Sequence, residues 1–177
     1  MNPRSCADAA TFAADVALEG PPEVEFNPGI AGRIAAKPVA AGVLLRDGRG
    51  HVAFVVPRYK PFLEIPGGMV DANESPKAAC VREVREELGL DLAVGALLVV
   101  DWVPRNGVWR DSQQFVFDGG VLDQPLTARD SELSGVDFLS LDAAEPRIHP
   151  SLHRRLLLAV RAASSGETVY AEFGRPV

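Results

Sequence analysis

Read for the alternation of apolar and polar positions, the chain is a series of short extended runs set around one well-marked helix. VAAGVLLR at 39–46 and HVAFVVP at 51–57 are apolar runs of strand length, joined by Asp47-Gly48-Arg49-Gly50, and predict a hairpin. LAVGALLVVDWVP at 92–104 reads as a long strand, RNGVWRDS as a loop, and QQFVFDGGVL at 113–122 as a strand that pairs back on it. VDFLSL at 136–141 predicts a further strand, and SLHRRLLLAVRAASSG at 151–166 an amphipathic helix with Ser151 as N-cap and Gly166 as its stop. ETVYAEFGRPV at 167–177 is a last extended segment. Ahead of all this, residues 1–37 form an arm in which TFAADVALEG suits a short helix and EVEFNPGIAGRIAAKP at most one short strand. Residues 38–177 make the domain.

The central helix is bounded at both ends. Ser75 is a good N-cap, Pro76 suits the first helical position, and Gly89 can take the left-handed conformation that ends a helix. At about 100° per residue, Val81, Val84 and Leu88 share a face that would dock on a core. Glu83, Glu86 and Glu87 fall on roughly the opposite side. Carboxylates three and four apart repel by a few tenths of a kcal/mol per pair. Arg82 and Arg85 offset part of that, whereas a divalent cation offsets far more. Taken alone, REVREEL also reads as an ordinary solvated helix face.

Composition narrows the choice. The chain has 177 residues, 47% of them hydrophobic, which suits one globular domain with a sizeable core. A net charge of −6 without a basic stretch argues against a nucleic-acid binder, and an anionic phosphate substrate then needs bridging cations. Cys6 and Cys80 are the cysteines; no disulfide framework is indicated, and a reducing cytoplasmic compartment is expected. Asp8, Asp15 and Glu19 interrupt any apolar leader, and no run is long enough for a membrane span. His149 and His153 have metal-ligand spacing, but Pro150 puts His149 outside the helix, and surface histidines are the better reading.

The full spacing decides between the readings of the acidic helix. Gly68, five residues, Glu74, seven residues, then Arg82-Glu83-Val84-x-Glu86-Glu87-x-Gly89-Leu90 resembles the signature of the Nudix hydrolases, with every fixed position filled. The order of strands extends the resemblance over most of residues 38–141, while Leu63 stands where the family often has tryptophan. The resemblance implies an α/β fold, a Nudix-type α/β/α sandwich with a mixed sheet between helices. It also implies a metal-dependent pyrophosphohydrolase that cleaves a nucleoside diphosphate linked to another moiety by water attack on phosphorus. ADP-ribose-type substrates and nucleoside triphosphates both fit. A catalytically weak nucleotide-binding or regulatory module on the same fold is the alternative, and the presence of Glu83, Glu86 and Glu87 favours the enzyme.

Carried onto this chain, the resemblance makes Glu86 and Glu87 ligands of Mg²⁺ or Mn²⁺. Glu83 is a third ligand or the base, and the Gly67 carbonyl completes the shell. Arg82 would hold Glu83 or Glu86 in place, and Glu74 would brace the loop before the helix. A late-loop carboxylate, Glu132 first and Asp130 second, completes the metal site or acts as base. Gly68 lets the backbone approach a ligand, and Arg58 and Lys60 are candidates to meet the diphosphate. Trp102 and Trp109 lie where an indole either caps a core or stacks on a nucleobase, and Pro104 is in the region the family associates with ADP-ribose. The apolar arm and the stripe over 156–160 are compatible with a homodimer.

Overall fold

The structure, a computed structural model, describes residues 9–21 and 27–177. Of the stretch at 23–38, in which at most one short strand is expected, residues 23–26 lie outside the described residues, as does Cys6. The chain divides into two units, Met1–Ala36 and Lys37–Val177. The described residues of the first unit carry helix α1 (Ala9–Leu18) and a 3₁₀ turn at Ala31–Arg33.

The second unit is built on a mixed sheet. Its strands are β1 (Val39–Arg46), β2 (Val52–Pro57), β3 (Gly67–Met69), β4 (Leu97–Val103), β5 (Ser112–Val121), β6 (Leu133–Leu139), β7 (Val169–Glu172) and β8 (Arg175–Pro176). They run β6-β2-β1-β5-β4-β7-β8 across the sheet, with β3 added to β1. The β1–β5 and β4–β7 pairs are parallel and the others antiparallel. Helix α2 (Pro76–Leu88) covers one face; α4 (Pro150–Ser165), preceded by the short α3 (Leu141–Ala144), covers the other. No helix among the described residues is long and apolar enough to cross a membrane.

Period-2 alternation assigns the side chains to these faces. Ala41, Val43 and Leu45 of β1 pack with Ala53 and Val55 of β2 and with Cys80, Val84 and Leu88 of α2. Leu44, Val52, Phe54 and Val116 point the other way, onto Leu152, Leu156 and Ala159 of α4. The result is the expected α/β/α sandwich.

Several local expectations are corrected. β1 and β2 meet in register only at Arg46↔Val52, because β3 takes the other end of β1. β4 starts only at Leu97, while β6 starts at Leu133, ahead of the expected 136. His149, not Ser151, is the N-cap of α4, since Pro150 is already helical. The stripe at 156–160 is spent inside the domain, with Leu156, Leu158 and Ala159 buried, so it no longer argues for a second subunit.

A buried ion pair ties the C-terminal elements together. Asp101 of β4 is 0% exposed; its Oδ2 accepts from Arg155 Nε of α4 at 2.7 Å and its Oδ1 from the Gly174 N–H at 2.9 Å.

Candidate active site

The site begins where β3 runs into α2. Gly67 has a φ of 144°, and a Cβ there would lie 2.3 Å from the Ala41 carbonyl oxygen, so only glycine lets β3 lie this close to β1. Residues 70–75 then turn the chain into α2, whose N-cap is Ser75: its Oγ accepts from the Ala78 N–H at 3.2 Å. Gly89 closes the helix at φ 68°, as its position predicts.

The buried face of α2 differs from expectation. Val81 is 37% exposed, while Glu87, expected with the solvent-facing carboxylates, is only 9% exposed. The cause is geometric. Glu87 lies about 60° from Val84 around the helix on the Cys80 side, and Val81 lies as far to the other side. The sheet covers the Cys80 side, so the apolar face takes one glutamate in and leaves one valine out.

Glu87 reaches back to β3, where its Oε2 accepts from the Gly67 N–H at 2.9 Å. Burial pushes its carboxyl up to about 8. The Gly67 hydrogen bond opposes that rise, and the negative charges of Glu83, Asp130 and Glu64 add to it. The amide of Gly67 is therefore the group the structure shows engaged by a carboxylate.

Arg82 organises the remaining carboxylates. Its Nε and Nη2 donate to Glu74 Oε1 and Oε2, both at 3.0 Å, a two-pronged contact that holds Glu74 below its ordinary value. Nη2 also donates to the Met69 carbonyl at 3.1 Å. Nη1 donates to Glu83 Oε1 at 2.9 Å and to Glu86 Oε2 at 3.1 Å. Glu74 further accepts from the Asp71 N–H at 3.0 Å, so it braces the loop as its place in the motif suggests. One guanidinium thus locks β3, the loop and two turns of helix together.

Hard divalent cations take oxygen ligands, and the donor set here suits one. Glu83, Glu86 and Glu87 bring carboxyl oxygens to one edge of the helix. At Gly68 the backbone leaves a cradle that a side chain would fill: a Cβ there would stand 2.4 Å from Glu83 Oε1. Among the described residues, no three His, Cys, Asp or Glu side chains already enclose a metal position. Glu83 and Glu86 point to Arg82 and Glu87 to Gly67, so enclosing an ion requires Glu83 and Glu86 to swing off Arg82.

The flanking loops carry the other candidates. Arg58 donates its backbone N–H to the Glu132 carbonyl at 2.8 Å and its Nε to the Ser131 and Leu133 carbonyls at 3.2 and 3.0 Å. It therefore stitches the loop after β2 to the loop before β6. Glu132 is exposed and its N–H donates to Asp130 Oδ1 at 2.7 Å, whereas half-buried Asp130 is the late-loop carboxylate that acts on Glu87. A cleft of about 410 Å³ beside it is lined by Arg58, Leu126, Thr127, Asp130, Ser131 and Val136. Lys60 Nζ donates to Glu64 Oε1 at 2.9 Å.

Trp102 is half-buried, and its Nε1 donates to Asp111 Oδ2 at 3.1 Å; Lys37 pairs with the same carboxylate. Trp102, Gln113 and Val39 stand in one row across β4, β5 and β1, and the Val70 N–H donates to the Val39 carbonyl. Three strand spacings, roughly 14 Å, therefore separate Trp102 from the glycine loop. Pro104 is half-buried just beyond β4, and Trp109 is 73% exposed at the tip of the next loop.

Sequence reasoning passed over Glu64. A signal was present: Leu63 and Ile65 are buried, so by alternation Glu64 must face the other way, toward the helix edge where the carboxylates gather.

A NUDIX domain family model matches residues 36–160. A putative 8-oxo-dGTP diphosphatase of Bacillus subtilis is 30% identical over 100 residues, covering 56% of this chain and 64% of that protein. A putative 8-oxo-dGTP diphosphatase 2 of Mycobacterium tuberculosis is 45% identical over 65 residues, covering 32% of this chain and 44% of that one. The chain thus spans less than two thirds of the length of the curated relatives it matches. Among solved structures, an ADP-ribose pyrophosphatase from Streptococcus suis superposes with a TM-score of 0.58 at 21% identity, covering 77% of this chain and 99% of that chain. That likeness is one of fold.

Proposed function

The chain belongs to the NUDIX domain family, and from that premise we propose that it is a divalent-metal-dependent pyrophosphohydrolase acting on a nucleoside diphosphate linked to another group. The observation that carries the reading is the buried Glu87 carboxylate, bonded to the Gly67 N–H and surrounded by Glu83, Asp130 and Glu64. Without metal, burial and these neighbouring charges hold the Glu87 carboxyl protonated, and a cation bound there would let it ionise.

Glu83, Glu86 and Glu87 would hold Mg²⁺ or Mn²⁺, which supplies charge neutralisation on phosphate oxygens and an acidified water when bound. The protein's own groups do the rest. Arg82 fixes the loop and the helix relative to each other through Glu74 and the Met69 carbonyl. Gly68, having no side chain, lets the Glu83 carboxylate lie against the backbone of β3. Glu83 or Asp130 takes the proton of the attacking water, Asp130 being preferred to the exposed Glu132 because it is half-buried and its charge acts on Glu87. In this reading the cleft beside Asp130 would receive one end of the substrate and Trp102, three strands from the glycine loop, would meet the other.

The names of the sequence relatives favour an oxidised purine nucleoside triphosphate as the first substrate to try, with ADP-ribose second. The test is chromatographic detection of the nucleoside monophosphate formed from 8-oxo-dGTP, dGTP, ADP-ribose and NADH, with Mg²⁺, with Mn²⁺ and with EDTA; the triphosphates also release pyrophosphate, whereas ADP-ribose and NADH give two phosphomonoesters. Turnover that needs metal and disappears in Glu86→Gln supports the reading and picks the substrate class. Metal binding without turnover of any compound points instead to a nucleotide-binding module.

A further inference from the structure

Lys60 and Glu64 sit on the loop between β2 and β3, and the motif does not include them. Glu64 is fixed in place by its backbone: its N–H donates to the Val55 carbonyl at 3.2 Å and its carbonyl accepts from the Val55 N–H at 2.8 Å. With Leu63 and Ile65 turned into the core on the α4 side, its side chain lies on the α2 side of the sheet, and its charge helps hold the Glu87 carboxyl above its ordinary value. Yet Glu64 is also the partner of the Lys60 ammonium, at 2.9 Å. The pair is only partly exposed, with side-chain accessibilities of 32% and 34%, so it is less screened than a pair in open solvent.

This placement gives Lys60 two competing anions. In the free protein it neutralises Glu64. An arriving diphosphate carries more negative charge than one carboxylate and offers the same ammonium a stronger partner. Once Lys60 turns to phosphate, Glu64 is uncompensated, and the charge it adds to the cluster favours a divalent cation.

We propose that Glu64 is a further positioning carboxylate of the cation site, masked by Lys60 in the free protein and unmasked when Lys60 transfers to substrate phosphate. Metal and diphosphate then bind with positive coupling, part of which runs through this pair. The inference rests on the metal-dependent reading above and adds to it a route by which substrate strengthens metal binding.

The test reads metal affinity, not turnover. Mn²⁺ alone is titrated into the full chain by calorimetry and by loss of the free-Mn²⁺ EPR signal, for wild type, Lys60→Met, Glu64→Gln and the double variant. Removing Lys60 is expected to tighten Mn²⁺ binding on the order of fivefold, and Glu64→Gln to weaken it by a similar factor. In the double variant, the gain from removing Lys60 should largely vanish, since there is no carboxylate left to unmask. Lys60→Gln repeats the comparison with a polar side chain, and thermal melts confirm that each variant is folded. A gain from Lys60→Met that keeps its full size when Glu64→Gln is already present overturns the proposal, because it is then only long-range charge. A wild type that binds no Mn²⁺ at all overturns the metal-dependent reading itself, so the two failures are distinct.

Discussion

Glu87→Gln should make the metal-free protein more stable and the enzyme inactive. The wild-type carboxyl is raised from an ordinary 4.5 to about 8, with burial as the largest cause. Between those pH values the group ionises in the unfolded chain but stays protonated in the fold. The unfolded state therefore gains free energy from ionisation that the fold does not, and stability falls as pH rises through this window. At about 1.4 kcal/mol per pH unit, the loss is about 3 kcal/mol at pH 7 and about 4 kcal/mol at pH 8, where about half of the folded molecules have ionised as well. Glutamine cannot ionise, and its Oε1 still accepts from the Gly67 N–H, so the variant escapes the loss. For a chain of this size, about 3 kcal/mol corresponds to a Tm higher by roughly 6–12 °C. The assay is a set of thermal melts from pH 5 to 8.5 in EDTA, repeated with Mn²⁺. Wild type should lose stability across the range without metal and regain it with Mn²⁺, whereas the variant should be flat in pH and indifferent to Mn²⁺. A variant that melts below wild type at pH 8 in EDTA would refute the reasoning, since the carboxylate would then be stabilising the metal-free fold.

Three further outcomes follow from the same contacts. Arg82→Lys keeps one charge but cannot span Glu74, Met69, Glu83 and Glu86 together, so turnover should drop at least tenfold (steady-state kinetics), with the far-UV spectrum unchanged. In Gly68→Ala the new Cβ meets only the flexible end of Glu83, so the Tm should move little while metal-dependent turnover drops at least tenfold; equal losses of both would contradict this. Asp101→Asn leaves the Arg155 charge buried without its carboxylate, and urea unfolding should show a loss of about 3–5 kcal/mol, part of which the double Asp101→Leu, Arg155→Leu variant recovers.

The sequence by itself determined the elements and the motif. Val-rich alternating runs placed β1, β2 and β5, and Ser75, Pro76 and Gly89 bounded α2, because capping and turn chemistry act over a few neighbouring residues. The spacing from Gly68 to Leu90 pointed to the family for the same reason: it is written along one short segment. What the fold alone decided concerns groups distant along the chain. Which side of α2 is buried depends on how the helix lies on β1, so the pattern of residues did not show that Glu87 goes in and Val81 stays out. Asp130 rather than Glu132 adds its charge to the surroundings of Glu87, in a loop that Arg58 pins by its carbonyls. The Asp101–Arg155 pair joins residues 54 apart, and the Lys60–Glu64 pair gains its meaning only once pairing with Val55 of β2 fixes Glu64 on the α2 side of the sheet. Local rules set what each segment can be; packing between segments sets which charges must share a low-dielectric space, and that is where the chemistry lies.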